Sequence, residues 1–346
     1  MASFRTGVVG DIITEREGLQ RIQVAFDGYP NAERAYNLTQ LTGHVGVGDE
    51  VVCNTTAVEL GLGTGGWHVV HWNLSRRDLR LNGGGHIMKI RYTSLQSNTG
   101  AAEEHLGDIE TNLKATPVVA CTLHSQVGIV AAAFASQRPH ARLAYVMTDG
   151  AALPLAISDI VHELSARGLL CGTVTAGHAF GGTKEAVNVA SALAIARNVL
   201  GADAVVVGMG PGVVGTGTTL GHTALEQAEI VHATATLGGR AIACLRVSDV
   251  DLRARHRGVS HHSLTALRHI RPGTPYVVAV PSDLGGVDLV DLPATVQLSK
   301  AFVGDVATML DSYALGITTM GRRAAEDSSF FRFAAAAGCV AATMVG

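Results

Sequence analysis

Residues that can do chemistry follow one apolar segment after another in the second two-thirds of the chain. Five segments end in histidine, acid, glycine or arginine residues: His124-Ser125, Thr148-Asp149-Gly150, Gly177-His178, Gly210-Pro211-Gly212 and the polar stretch 246–262. Carboxylates and imidazoles exchange protons with substrates, whereas glycine amides and guanidinium groups bind anions. If the apolar segments are parallel strands, their carboxyl ends meet at one edge of the sheet. The pattern therefore predicts one polar site for a small molecule.

Four residues are candidates for proton transfer: His124, Asp149, His178 and His256. Asp149 is the favoured general base, because a carboxylate between a strand end and the apolar run 151–153 can have a raised pKa. A cap on the following helix is an equally good interpretation of Asp149. A lone histidine is more often a hydrogen-bonded structural residue than a catalytic one, so each histidine keeps that alternative.

The run 208–219 is the strongest single feature of the sequence. Gly210, Gly212 and Gly215, followed by Thr216, have GxGxxG spacing, and backbone amides in such a run can approach an anion closely. Dinucleotide binding is a minority interpretation, because the run follows the fourth predicted strand of its domain and the next strand ends in Arg246 rather than an acid. A P-loop is excluded because lysine is missing where that motif requires it. A tight turn without a ligand is the structural alternative.

A second glycine-rich segment, 177–185, is predicted to be a strand-to-helix turn. Gly181, Gly182 and Lys184 are its candidate contacts to an anion, since small residues and a cation stand together there. Alternatively, Thr183 caps a helix and Lys184 is solvated.

The stretch 246–262 holds the densest set of charged residues and histidines in a chain otherwise poor in charge. Arg246, and Arg322 further along, are predicted to hold the anion, since guanidinium groups suit bidentate contacts with phosphate or carboxylate. An exposed loop held by local ion pairs is the alternative. The cofactor stays unknown: the residue types allow a divalent metal such as zinc or manganese, but no pair has diagnostic ligand spacing.

The composition argues against several classes of protein. With 16% charged residues and a formal net charge of -3, the chain lacks the basic field that nucleic-acid binding requires. Five scattered cysteines without a CxxC pair argue against a disulfide framework and a zinc ribbon, and favour a reducing, cytoplasmic location. No secretory signal or membrane span is expected. The low charge and the 47% of hydrophobic residues favour a homo-oligomer.

The elements that position the candidate residues divide the chain into a small β domain at 1–95, a linker at 96–115 and an α/β domain at 116–346. Short β-prone runs separated by turn residues predict a β-barrel or β-sandwich in the first domain. Beyond residue 116, strands that are apolar on both faces alternate with helix-length segments. This rhythm predicts a mostly parallel, doubly wound, Rossmann-like sheet. A distorted (β/α) barrel is the alternative.

The predicted strands and helices follow from the same patterns. Strands are expected at 7–13, 21–26, 51–54, 67–72, 117–123, 142–147, 169–175, 204–209, 241–246, 276–280 and 316–319. Helices are expected at 127–136, 155–167, 185–200, 225–237, 263–268, 299–314 and 327–345.

Several segments together resemble a known family. They include Leu123-His124-Ser125-Gln126, Met147-Thr148-Asp149-Gly150, Gly177-His178-Ala179-Phe180-Gly181-Gly182, Met209-Gly210-Pro211-Gly212, Ser260-His261-His262, Thr319-Met320-Gly321-Arg322 and, near the start, 54–56 and 61–66. The sequence is similar over nearly its full length to an uncharacterised bacterial family known only as domain of unknown function 3866. The resemblance implies membership and no particular reaction.

We therefore expect an enzyme, a hydrolase or transferase, that uses acid/base chemistry on a small anionic substrate, phosphorylated molecules included. A metal-dependent hydrolase is one alternative. A noncatalytic nucleotide-binding sensor or regulatory protein is another. Neither nucleic acid nor a membrane is an expected partner.

Overall fold

A computed structural model of the chain describes residues 2–63 and 65–346 and contains two compact units, one up to Thr99 and one at Gly100–Gly346. The predicted linker at 96–115 straddles this division. Met1 and Thr64, the latter within the motif 61–66, lie outside the described residues.

The first unit is a closed five-stranded barrel. Its strands are β1 (Phe4–Arg16), β2 (Leu19–Phe26), β3 (Glu33–Asn37), β4 (Glu50–Asn54) and β5 (Trp67–Asn73), and its short helices are α1 (Thr39–Thr42) and α2 (Thr56–Glu59). The order is β1-β2-β3-β5-β4, with β4 paired back to β1 and only β3 and β5 parallel within the described barrel. Alternating side chains such as Ile22 and Val24 point inward and fill the barrel. Of the two predicted forms, barrel and sandwich, the structure has the barrel.

The second unit is built on an open, parallel, eight-stranded sheet. Its strands are β6 (Pro117–Ala120), β7 (Leu143–Thr148), β8 (Gly172–Thr175), β9 (Lys184–Glu185), β10 (Ala204–Met209), β11 (Arg240–Cys244), β14 (Tyr276–Pro281) and β15 (Gln297–Ala301), while β12 (Val247–Ser248) and β13 (Gly258–Val259) form a separate antiparallel pair. The sheet order is β15-β14-β11-β6-β10-β7-β8-β9. Because β15 and β9 are free edges of the described sheet, the alternative of a (β/α) barrel is wrong.

Helices cover both faces of this sheet. They are α3 (Glu103–Leu106), α4 (His124–Gln137), α5 (Asp159–Ala166), α6 (Val189–Asn198), α7 (Glu226–Thr236), α8 (His261–His269), α9 (Val306–Ser312) and α10 (Ser328–Met344), with 3₁₀ turns at Leu155–Ile157, Thr223–Leu225 and Ala254–His256. Strand residues alternate between two hydrophobic cores: Tyr145 and Met147 face α4, α5, α9 and α10, whereas Ala144 and Val146 face α6, α7 and α8. The unit is therefore mixed α/β, with strands buried on both sides.

The C-terminal helix α10 lies inside one of these cores. Its small residues let it approach α4 closely, and a Cβ on Gly338 would lie 2.4 Å from the carbonyl oxygen of Val130. None of the helices in the described ranges combines the length and the apolar character needed to cross a membrane. The predicted cytoplasmic location and homo-oligomer stay predictions.

Four predicted elements differ most from the structure, among them the helix predicted at 155–167, which is a 3₁₀ turn followed by α5. The helix predicted at 185–200 starts only at Val189, because Asn188 caps it by accepting a hydrogen bond from the Ser191 amide, and β9 precedes it. The helix predicted at 299–314 is instead β15 followed by the shorter α9. The strand predicted at 316–319 is not formed; Thr319 makes only an isolated bridge to Arg322.

The course of the chain reverses at the carboxyl end of β6, which is where the topology predicts a crevice. This strand leads into α4 on one face of the sheet, whereas its neighbours β10 and β11 lead to α7 and α8 on the other face. Connections that leave in opposite directions open a gap above the strand ends, and ligands of open α/β sheets bind in such gaps.

Candidate functional site

The candidate residues lie on one rim of the second unit, after the ends of five neighbouring strands. His124 follows β6, Asp149 follows β7, His178 follows β8, the loop 210–222 follows β10, and the stretch 246–262 follows β11. Within this rim the contacts form two groups, one around β6, β7, β8 and β10 and one beyond β11.

His124 is buried and both of its ring nitrogens have partners. Nδ1 lies 3.0 Å from the carbonyl oxygen of Met209, which can only accept, so Nδ1 carries the proton. Nε2 therefore accepts from the Ser158 hydroxyl at 2.6 Å, and Ser158 in turn caps α5 by accepting from the Val161 amide. These bonds tie α4, β10 and α5 together, and they favour a structural role for His124 over the predicted proton transfer.

Burial lowers the pKa of His124 to about 4, against a smaller opposing effect of the Met209 carbonyl. A folded-state pKa below the unfolded value of 6.5 gives stability that is present above pH 6.5 and lost as the pH falls toward 4. Glutamine does not titrate, so the His124→Gln variant should not lose this stability as the pH falls. The difference in free energy of unfolding between wild type and His124→Gln should shrink by about 2 kcal/mol from pH 7.5 to pH 5.

Urea titrations at the two pH values measure this difference, with the exposed His162→Gln as the matched control on α5. Far-UV circular dichroism is the probe, because the helices longer than four residues in the described chain all belong to the second unit. A difference for His124→Gln that is independent of pH would contradict the assigned neutral, buried ring.

Asp149 is exposed and accepts a hydrogen bond at 2.9 Å from the backbone amide of His178. The turn between them requires glycine: Gly177 has φ +65°, and a Cβ there would lie 2.3 Å from the Asp149 carboxylate. Ser158, not Asp149, caps the next α-helix, so the capping interpretation of Asp149 is wrong. The carboxylate thus lies at the rim, between the ends of β7 and β8.

Glu226, at the start of α7, is a candidate that the sequence patterns did not indicate. The Thr148 hydroxyl donates to its carboxylate at 2.7 Å, and Gly150 makes room for it, since a Cβ there would lie 2.6 Å from Oε2. Burial raises the pKa of Glu226 to about 7; the Thr148 hydrogen bond opposes this and the charge of Asp149 adds to it. We call Asp149 and Glu226 the carboxylate pair.

The second group contains an arginine cluster, defined by Arg246, Arg253 and Arg322 with Asp251 and Asp327. Asp251 contacts Arg246 at 3.4 Å, Arg253 at 2.9 Å and Arg322 at 3.9 Å, and Arg322 also pairs with Asp327 at 2.9 Å. Burial, reinforced by the charge of Arg253, lowers the pKa of Arg246 to about 10, while the hydrogen bond from Arg253 holds the pKa of Asp251 well below its usual value. Arg246 and Asp251 are buried, so this is more than an exposed loop with surface ion pairs.

Four histidines, His222, His256, His261 and His262, form a histidine cluster beside the arginines. Ring centroids of His262 lie 4.1 Å from His222, 4.8 Å from His256 and 4.4 Å from His261. Burial is the main cause that lowers the pKa of all four, to about 3 for His256 and about 2 for His262. The surroundings therefore disfavour the protonated form of each ring.

Both neighbours at the start of α8, His261 and His262, belong to this cluster. They are the first two residues of the helix, and the side chain of Ser260 caps it by accepting from the His262 amide. His256 is hydrogen-bonded through Nδ1 to Ser260 at 2.7 Å, which ties it to the helix start. The predicted proton-transfer role of His256 stays a prediction.

The loop 210–222 runs from the carboxylate pair to the histidine cluster. Gly210 is required by close approach, since a Cβ would lie 2.2 Å from the Ala152 carbonyl oxygen, whereas Gly212 has φ +93° with open space around it. Gly215 pairs with His222, and the Thr216 amide donates to the Gly221 carbonyl at 2.7 Å. Helix α7 starts only at Glu226, so the glycine run lacks the adjoining helix end that nucleotide phosphates require.

The glycines predicted to bind an anion near residue 181 already have protein partners. The Gly181 amide donates to Glu185 at 2.7 Å, and the Gly182 amide donates to the Thr175 hydroxyl at 3.1 Å. Lys184 lies in β9, paired with Val174, rather than inside a helix. The predicted strand-to-helix turn is therefore wrong here, because its amides close a strand-to-strand connection instead.

One protein-family model matches residues 34–338 of the chain. No curated protein and no solved structure matches it.

Proposed function

The chain belongs to the family described as "Protein of unknown function (DUF3866)", and from this premise we propose that its second unit is an enzyme that uses acid/base chemistry on a small anionic substrate. The substrate would lie in the crevice above β6. Its anionic group would contact the arginine cluster, and the reacting atoms would face the carboxylate pair. Helices on both faces of the sheet support the Rossmann-like winding in which such crevices form.

The observation that carries the proposal is the charge balance of the arginine cluster. Three guanidinium groups share two carboxylates, Asp251 and Asp327, in a partly buried position. Excess positive charge away from water is unfavourable unless a negative group compensates it. A phosphate or carboxylate with two oxygens facing the guanidinium forks would supply this compensation.

The carboxylate pair supports the acid/base part. With a pKa of about 7, Glu226 is present in both protonation states at neutral pH and can donate or accept a proton. Asp149 lies close enough for its charge to contribute to the raised pKa of Glu226, so the two carboxyl groups act on one another. The loop 210–222 joins the pair to the arginine and histidine residues, so one bound molecule could contact both groups.

Arg322→Gln tests the anion site, and Arg332→Gln is its matched control. The two arginine side chains are similarly exposed, at 25% and 23%, but Arg322 contacts Asp327 and Asp251 within the cluster, whereas Arg332 pairs with Asp283 outside it. Calorimetry should show that pyrophosphate, phosphate or citrate binds the wild type and Arg332→Gln alike. Binding to Arg322→Gln should be at least about 10-fold weaker, because a charge-assisted pair of hydrogen bonds is lost.

Thermal unfolding of the three proteins checks that each is folded. The proposal fails if none of the three anions binds the folded wild type, or if Arg322→Gln binds them as tightly as Arg332→Gln does.

A metal-dependent hydrolase is the second candidate. The observation that favours it is the histidine cluster, because imidazole nitrogens are common ligands of catalytic zinc.

A further inference from the structure

We propose that His222, His261 and His262 bind a single Zn²⁺ ion, or another transition-metal ion that prefers nitrogen ligands, through one ring nitrogen each. Their candidate ligand atoms all lie within 4.8 Å of one another. Three neutral imidazoles are a common protein ligand set for zinc, and they leave a fourth position for water or substrate.

Unpartnered nitrogens point to a missing ligand. Nδ1 of His262, both ring nitrogens of His222 and Nε2 of His261 are buried without a hydrogen-bond partner among the described residues. His222 and His262 are only 6% and 5% exposed. The Thr219 backbone lies near enough to oppose slightly the lowered pKa of His222, but it does not reach hydrogen-bond geometry with the ring. Buried polar atoms of this kind cost about 1–3 kcal/mol each, and a bound metal would satisfy one nitrogen of each ring.

The local fold holds the three rings in place from two sides. His222 precedes the 3₁₀ turn that leads into α7 and is paired with Gly215 across the loop. His261 and His262 begin α8, whose start is fixed by the cap on Ser260 and by the contact between Ser260 and His256. His256 is therefore a positioning residue for the two ligands on α8.

The spacing requires a small adjustment. Zn–N bonds of about 2.0–2.1 Å in a tetrahedral site place ligand nitrogens roughly 3.4 Å apart. The 4.8 Å limit observed here is wider. Small rotations of the imidazole rings would close the difference.

Charge around the cluster affects the metal in two ways. Arg246, Arg253 and Arg255 disfavour a positive charge on the His261 ring, and Arg246 does so on the His262 ring, while a ring nitrogen must be unprotonated to bind a metal. The same arginines repel a bare cation, so a negatively charged fourth ligand, such as hydroxide or the substrate's own anion, should accompany it. Metal binding does not depend on the proposed acid/base function, and it can be measured without substrate.

The test is a metal titration of the full chain, freed of any histidine tag and stripped with a chelator. Wild-type protein should bind one Zn²⁺ per chain by calorimetry and one Co²⁺ per chain, with the visible absorption of a tetrahedral nitrogen site. His222→Gln and His261→Gln should each bind at least about 100-fold more weakly, because a direct ligand is lost and even second-shell losses cost 10–100-fold. His162→Gln, on exposed surface of α5, should bind like the wild type.

Circular dichroism of the metal-free proteins shows which variants are folded. Because His261 is partly exposed, His261→Gln leaves the buried rings of His222 and His262 in place. The inference is wrong if folded wild type binds neither Zn²⁺ nor Co²⁺, or if the folded variants bind them as tightly as His162→Gln. Anion binding by the metal-free wild type is scored separately, so failure of the metal site and failure of the proposed function give different results.

Discussion

Glu226→Gln should make the second unit more stable at alkaline pH than the wild type. The folded-state pKa of Glu226, raised by burial to about 7, lies above its usual 4.5. A raised carboxyl pKa gives stability that is complete below pH 4.5 and lost as the pH rises through 7, because the ionised form is poorly solvated in the fold. Glutamine cannot ionise, so the variant should gain about 2–3 kcal/mol relative to wild type between pH 5 and pH 8.5.

Glu229→Gln is the control, since Glu229 is exposed in the first turn of the same helix and adds less than Asp149 to the raised pKa of Glu226. Denaturant titrations followed by far-UV circular dichroism measure both variants at the two pH values. If the free energies of unfolding of the wild type and Glu226→Gln change equally with pH, Glu226 does not have the raised pKa that the proposed proton transfer requires. With a substrate found by the anion screen, the same variant should lose about 10²–10⁴-fold in turnover, the usual contribution of a positioned acid or base.

If Glu226→Gln is both more stable and less active than the wild type, Glu226 has a catalytic rather than a structural role. A carboxylate kept only to hold Thr148 would lower stability when replaced. A carboxylate held in an unfavourable environment for proton transfer raises stability when replaced, because strained or poorly solvated groups persist where function needs them.

The large parallel sheet could be predicted from sequence because burial on both faces leaves continuous apolar runs. Strand β10, Ala204–Met209, has the predicted bounds, and five further predicted strands of this unit overlap observed ones. The missed strands lack this signal. In β3 the sequence Glu-Arg-Ala-Tyr-Asn is mostly polar, and β15 at the sheet edge has only Ala301 buried. Their pairing partners, distant in the chain, determine both strands.

The site was predictable in outline and not in its contacts. Topology alone brings His124, Asp149, His178 and Arg246 to one rim, because every strand of the sheet points the same way. Which side chains remain available depends on packing: both nitrogens of His124 are taken, as are the amides of Gly181 and Gly182, the last two by Glu185 and Thr175.

His222 and Glu226 went unnoticed for the same reason. A histidine followed four residues later by a glutamate is common in amphipathic helices and carries no motif. Their position becomes meaningful only when the loop 210–222 folds back and brings His222 against His262 and Glu226 against Thr148. The signal that could have found them is their place shortly after the glycine-rich run 208–219.

Gln126→Ala should cause a large loss of stability, because one buried side chain satisfies three backbone groups just beyond the ends of β6 and β11. Its Oε1 accepts from the amides of Thr122 at 2.9 Å and Leu123 at 3.0 Å, and its Nε2 donates to the Leu245 carbonyl at 2.8 Å. Alanine leaves all three without partners in a fully buried place, each at about 1–3 kcal/mol. We expect a loss of about 3–5 kcal/mol.

Gln137→Ala, at the exposed end of the same helix, should stay within about 0.5 kcal/mol of the wild type. Both tryptophans, Trp67 and Trp72, lie in the barrel unit, so their fluorescence reports that unit while far-UV circular dichroism follows the helices of the other. If Gln126→Ala unfolds at the same denaturant concentration as Gln137→Ala, water replaces the lost hydrogen bonds. The contact of α4 with the end of β11 would then contribute little to stability.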